Sequence, residues 1–211
     1  PGWWKTWHSP RSKTMPSPIE TPQGPHGSNS PSAWVQRWSH LVPAHGTVLD
    51  VACGQGRHLR WFAQRNHPVV GVDRSQDAID SIADLVSSGH AEAVVADIEN
   101  GPWPFINGVH QRTFDAVVVT NYLWRALLPT LVASVASGGV LIYETFTAGN
   151  ETVGKPSRQD FLLQPGELLS ACQGLRVVAY EDGFLQGPDR FVQRIAAVRE
   201  RAPELPARYP L

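Results

Sequence analysis

One methionine, Met15, and two cysteines, Cys53 and Cys172, are all the sulfur that the 211 residues carry. The cysteines lie far apart and in no pairing pattern, so two reduced thiols are expected rather than a disulfide framework. No apolar run approaches the roughly 18 residues of a membrane-crossing helix, and the N-terminus has no apolar core of the secretion-signal type. These absences point to a cytoplasmic chain with no membrane partner. An excess of either charge is missing as well, with a formal net charge of −1 and 18% charged residues. Without a basic stretch the electrostatic footprint of a nucleic-acid binder is absent, and no nucleic-acid partner is expected. The eight histidines fall in no ligand spacing with Cys, Asp or Glu, so no metal site is expected.

What the chain does have is a stretch around which the rest is arranged, Val48 to His58, reading VLDVACGQGRH. A short β-branched run ends at Val51, small residues follow from Ala52 to Gly56, and Arg57 to Ala63 opens a helix. Strand, small-residue turn and helix begin a nucleotide-binding βαβ unit. Glycines there let the backbone approach a ligand, and the helix start offers unpaired N–H groups. The dinucleotide fingerprint G-x-G-x-x-G is incomplete, because Leu59 stands where the third glycine belongs.

Residues 1–30 are broken by six prolines, with Pro31 just after them, and read as a mobile or loosely draped arm, with Trp3, Trp4 and Trp7 in it. Met15 leaves open a natural start there. One domain is expected over residues 31–199, with 200–211 as a Pro-rich tail. Ser32 is an N-cap for a helix from Ala33 to Leu41, whose Trp34, Val35, Trp38 and Leu41 share one face. That face serves either as core packing or as a cover over a ligand.

The second strand, Pro68 to Asp73, ends in an acid placed about 20 residues after the turn, where a carboxylate suits a ribose diol. A helix is expected over Gln76–Val86, with Ala78, Ile79, Ile82, Leu85 and Val86 inward. A third strand over Ala93–Ala96 leads to Asp97-Ile98, and Trp103 and Phe105 follow as a plausible cover over a base. Phe114–Thr120 is an apolar central strand. Asn121, Tyr122 and Trp124 sit at its carboxyl end, where doubly wound sheets bind ligands. A helix over Ala126–Ala136 is expected to end at Ser137-Gly138-Gly139, before a fifth strand over Val140–Glu144. A long loop, Thr145–Pro165, is expected to be functional or mobile. A short helix and two strands, Leu175–Glu181 and Phe191–Val198, close the domain.

The set D-x-x-C-G-x-G at Asp50–Gly56, the acid Asp73, the pair Asp97-Ile98 and the glycines before the fifth strand resembles the class I S-adenosylmethionine-dependent methyltransferases. Within them it is loosely similar to the small bacterial tellurite-resistance type. The family more often has glycine at the position of Ala52. The resemblance implies an α/β fold: a doubly wound, Rossmann-like seven-stranded sheet of order 3-2-1-4-5-7-6, the last strand antiparallel, with helices on both faces. It implies S-adenosyl-L-methionine as cofactor, held by Asp50, Ala52, Cys53, Gly54, Gly56, Asp73, Arg74, Asp97, Ile98, Asn121 and Tyr122. Asp50, Gly54 and Gly56 would cradle the methionine part, Asp73 the ribose, and Asp97 with Ile98 the adenine.

Candidates for a polar catalytic group are Tyr122, Glu144 and His58, each with a plain structural role as its alternative. Lys155 and Arg158 in the long loop would attract an anion or simply face solvent. The motifs of amino-methylating nucleic-acid enzymes, cytosine C5 enzymes and protein arginine enzymes are missing, so a small-molecule acceptor is expected. An NAD-dependent oxidoreductase and a non-catalytic methyltransferase-like partner protein remain as alternatives.

Overall fold

The computed structural model describes residues 30–201 and 207–211. The arm expected over residues 1–30, apart from Ser30, and part of the tail therefore lie outside the described residues. Strands β1 (Val48–Val51), β2 (Val69–Asp73), β3 (Ala91–Val95), β4 (Phe114–Thr120), β5 (Val135–Phe146), β6 (Arg176–Leu185) and β7 (Arg190–Val198) form one seven-stranded sheet. Its order is β3-β2-β1-β4-β5-β7-β6, with β7 antiparallel to both neighbours, as the resemblance implies.

Strand alternation divides the core between two faces. Leu49, Val51, Val117, Val119, Leu141 and Tyr143 point to one cluster. Val48, Val69, Ala116, Val118, Val140 and Ile142 point to the other, where helices α1 (Ala33–Trp38) and α2 (Arg57–Ala63) pack. In α1 the buried Trp34 and Trp38 meet edge to face at 5.6 Å, and the Trp34 indole N–H donates to the Ile195 carbonyl at 3.1 Å. Both aromatic rings are core.

Ser32 caps α1 as its sequence position suggests. Its hydroxyl oxygen accepts from the Trp34 and Val35 N–H groups at 3.1 and 3.4 Å, and its O–H donates to Glu144 Oε1 at 2.8 Å. Ser32→Ala removes the cap and leaves one oxygen of a buried carboxylate without its donor. An unfolding free energy lower by about 1–3 kcal/mol is expected in urea titration.

Four expectations are corrected by packing. The single helix over Gln76–Val86 is two short ones, α3 (Gln76–Asp80) and α4 (Ala83–Ser87). Ser81 Oγ donates back to the Ala78 carbonyl at 2.6 Å, and Ile82 leaves helical geometry at φ −112° and ψ 14°. Ile82 is thereby fully buried under the glycine turn, while Val86 stays exposed. Ala78, Ile79 and Leu85 are only partly buried.

Trp103 and Phe105 are buried core, stacked edge to face at 5.2 Å, and Phe105 meets Phe114 at 5.3 Å. They cover no base. The loop after them forms a small hairpin, Ile106–Asn107 with His110–Gln111.

The helix before the fifth strand stops early: a 3-10 turn over Arg125–Leu127 precedes α5 (Leu128–Ala133). Gly138 and Gly139 lie inside β5 rather than ending a helix. A side chain at Gly139 would stand 2.8 Å from the Asp115 carbonyl, so backbone approach to β4 requires glycine there. β6 and β7 form a longer hairpin than the sequence suggests, and α6 (Glu167–Ala171) is the short helix before it.

Candidate active site at the carboxyl edge of the sheet

Three left-handed residues, one alanine and two glycines, shape the turn after β1. Ala52 sits at φ 53°, Gly54 at φ 53° and Gly56 at φ 73°. The two glycines answer different constraints. A Cβ on Gly54 would meet nothing within 4 Å, whereas one on Gly56 would stand 2.4 Å from Ile82 Cγ2. Gly54 keeps an open cradle open, and Gly56 lets the turn press onto Ile82. Leu59 is fully buried, and a Cβ on Gly71 of β2 would lie 2.7 Å from its Cδ1. Close helix–strand packing is thus achieved with glycine on the strand, where the dinucleotide fingerprint puts it on the helix.

The acids are distributed around this cradle. Asp73, at the end of β2, accepts from the Gly54 N–H and the Ser75 N–H, both at 2.9 Å. Each carboxylate oxygen retains a free lone pair toward the edge. Asp97 accepts from the Glu99 and Asn100 N–H groups and from the Asn100 side-chain amide at 2.9 Å. These bonds, the Asn100 amide foremost, hold its carboxyl below the usual carboxylate range. Arg74 adds a smaller electrostatic pull in the same direction. Ile98 beside it is 9% exposed. Cys53 is buried, which pushes its thiol far up and leaves it an inert packing group.

Asp50 is 1% exposed, and its Oδ2 lacks a hydrogen-bond partner among the described residues. His58 Nδ1 stands 3.5 Å from that oxygen, and its Nε2 accepts from the Ser32 N–H at 3.2 Å. The Nε2 acceptor places the ring proton on Nδ1, facing Asp50. His58 is itself 1% exposed and ties the start of α1 to β1.

At the end of β4, Asn121 adopts φ 55° and its N–H donates to the Glu144 carbonyl at 2.9 Å. Tyr122 follows. Its carbonyl accepts from the Tyr143 hydroxyl at 2.8 Å, and its own hydroxyl is buried without a geometric partner among the described residues. Burial, with the charges of Glu99 and Asp97, raises the Tyr122 phenol, so it is a neutral donor. Trp124 is 36% exposed.

Glu144 completes the set and is engaged at both oxygens: Oε1 by Ser32, Oε2 by Arg194 at 3.2 Å. Arg194 lies directly across from Glu144 on one neighbouring strand and from Glu181 on the other, and it pairs with both.

Two cavities open at this edge and share Asn121 and Phe146. The smaller, about 160 Å³, is walled by Ser32, Arg57, Asn121, Glu144, Arg190 and Arg194. The larger, about 320 Å³, is walled by Glu99, Tyr122, Phe146, Lys155, Pro156 and Phe161. Glu144 and Tyr122 therefore border open space, Lys155 joins them, and His58 borders neither cavity. Arg158 instead pairs with Asp160 at 2.7 Å on the exposed face of the long loop.

The Arg57–Arg190–Arg194 grouping escaped the sequence reading. A signal for it exists: Arg190, Val192 and Arg194 recur with period two and so share one face of a strand. Among the described residues no cluster of His, Cys, Asp and Glu forms a metal site, and no helix is long and apolar enough to cross a membrane.

A doubly wound sheet in this order, with a glycine cradle after β1 and acids at the ends of β1, β2 and β3, is the architecture of a class I methyltransferase. Residues 48–139 match the family described as a methyltransferase domain, and the fold is that of the S-adenosylmethionine-dependent methyltransferases. S-adenosylmethionine is the cofactor of that class.

No curated protein matches. Among solved structures, TehB from Haemophilus influenzae aligns at 18% identity and TM-score 0.61, over 79% of this chain and 61% of that one. The chain therefore spans less than two thirds of the length of that protein. A TehB-like SAM-dependent methyltransferase from Corynebacterium glutamicum aligns at 19% identity and TM-score 0.54, covering 78% and 86%. A SAM-dependent methyltransferase from Methanosarcina mazei aligns at 15% identity and TM-score 0.60, covering 82% and 100%. At these identities the likeness is one of fold.

Proposed function

We propose that the protein transfers the methyl group of S-adenosylmethionine to a small-molecule acceptor held in the paired cavities at Asn121 and Phe146. The observation that carries this reading is the position of those cavities. They open at the carboxyl edge of β4 and β5, next to the open glycine cradle, and their volumes of about 160 and 320 Å³ suit a small molecule rather than a chain.

The residues present fit the cofactor. Gly54 leaves room at the turn, the Asp50 oxygen lacks a partner, and both Asp73 oxygens have lone pairs to offer. Asp50, Ala52, Cys53, Gly54 and Gly56 would hold the methionine part. Asp73 would accept from the ribose hydroxyls, with Arg74 beside it. Asp97 and Ile98 would border the adenine, and Asn121 and Tyr122 the reacting end. The cofactor brings an electrophilic methyl on a sulfonium.

The protein's share of the chemistry is then placement. Asn121 sets the floor, the neutral Tyr122 hydroxyl donates, and Phe146 and Phe161 exclude water around the acceptor. Glu144, fixed at both oxygens, shapes and charges the wall. His58 holds α1 to β1 and is a positioning residue in this reading.

Incubation with methyl-labelled S-adenosylmethionine and separate cell-extract fractions tests the acceptor class. Label appearing in the low-molecular-weight fraction is expected. Label confined to protein or nucleic acid would contradict the small-molecule reading.

A further inference from the structure

The smaller cavity carries more positive charge than its walls neutralise. Arg194 is balanced by Glu144 and Glu181 and lies over the Trp34 ring, 4.7 Å from its centre. Arg57 and Arg190 are different. Among the described residues neither has a carboxylate within ion-pair distance, and both line the same space. Among the described residues Arg57 donates to neutral oxygens, Thr120 Oγ1 at 3.2 Å and the Ser30 carbonyl at 3.3 Å. Burial lowers its affinity for the proton, and the nearby Arg190 charge lowers it further, against the pull of Asp50 and Glu144. Two guanidinium groups that repel across one cavity mark a place built for an anion.

Guanidinium forks match a planar carboxylate in geometry, through parallel N–H donors. Glu144 shares the wall and pulls on Arg57 from a distance, but its oxygens accept from Ser32 and Arg194, and neither Arg57 nor Arg190 is in ion-pair contact with it. Next door, through Asn121 and Phe146, the larger cavity offers the rings of Tyr122, Phe146 and Phe161 with Leu123 and Pro156, and charge only at Glu99 and Lys155. The two arginines come from different elements. Arg57 is the first residue of α2, directly after the glycine turn, whereas Arg190 opens β7 after the hairpin.

The geometry points to a carboxylate-bearing acceptor with an apolar or aromatic body, its carboxylate held by Arg190 in the smaller cavity and its body in the larger. This rests on the methyltransferase reading of the same site and names its substrate class. The cofactor's own carboxylate is the other source of this chemistry, and Arg57, at the turn, is the residue placed to serve it.

The test is calorimetric and uses the full chain. Wild type and Arg190→Gln are first titrated with S-adenosylhomocysteine. With that ligand saturating, each is titrated with benzoate, phenylacetate and 4-hydroxyphenylacetate, and with the matching neutral amides. Wild type is expected to prefer carboxylates to amides by about tenfold or more, and Arg190→Gln to lose the preference while binding S-adenosylhomocysteine within about twofold of wild type. A wild type without carboxylate preference overturns the inference, as does a variant that keeps it. A variant that loses S-adenosylhomocysteine instead assigns Arg190 to the cofactor and overturns it too. Wild type that fails to bind S-adenosylhomocysteine sinks the methyltransferase reading itself, which separates the two failures.

Discussion

Gly56→Ala is expected to lower the unfolding free energy by about 2–5 kcal/mol. A left-handed backbone costs an L-residue roughly 1–2 kcal/mol, and overpacking a full core adds about 1–3. Both apply here, since φ is 73° and the new Cβ would meet Ile82 Cγ2 at 2.4 Å. Neither partner can easily give way: Ile82 is fully buried and the turn is anchored by the Gly54 N–H on Asp73. Gly54→Ala has the same backbone penalty at φ 53° but open space around its Cβ. It is expected to cost only about 1–2 kcal/mol in stability, and to weaken S-adenosylhomocysteine because the methyl group occupies the cradle. Urea unfolding and calorimetry on both variants check the pair. Equal stability losses would show that the Ile82 contact is not what demands glycine at position 56.

Asp73→Ala has the largest expected effect on binding. In the structure the carboxylate fixes two N–H groups, one on the glycine turn and one at the start of α3, and in the proposed complex it accepts the ribose hydroxyls. A hydrogen bond to a charged group contributes about 1.5–3 kcal/mol, so S-adenosylhomocysteine affinity is expected to fall roughly 10- to 150-fold. Asp73→Asn keeps the size and part of the hydrogen bonding, and is expected to fall between. Unchanged affinity in Asp73→Ala removes the residue from the ribose role.

The parts legible in the sequence share one property: they are set by neighbours in the chain. The strand–turn–helix at Val48–Ala63, the Ser32 cap and the apolar β4 follow from local patterns, and the resemblance of the motif set supplied the strand order. What stayed hidden depends on distant partners. The break at Ser81-Ile82 exists because Ile82 packs under Gly56, and the inclusion of Gly138-Gly139 in β5 follows from the Asp115 carbonyl against it. Trp103 and Phe105 have the composition of a lid, but they find Phe114.

The site divides in the same way. Asp50, Gly54, Asp73 and Asp97 stand out by spacing from one motif to the next. Ser32, Glu144, Glu181 and Arg194 meet only because β5, β6 and β7 run side by side with Arg194 opposite both acids. Arg57 and Arg190 meet only at the sheet edge. Nothing local in their sequence neighbourhoods announces that they line one cavity.

The measurement that bears most directly on the account is a parallel calorimetric titration of the protein with S-adenosylmethionine, S-adenosylhomocysteine and NAD. Saturable binding of the first two at micromolar levels, with no heat from NAD, is the predicted result. Binding of NAD alone would contradict the account at its centre, because a glycine turn closed by Leu59 would then be serving a dinucleotide.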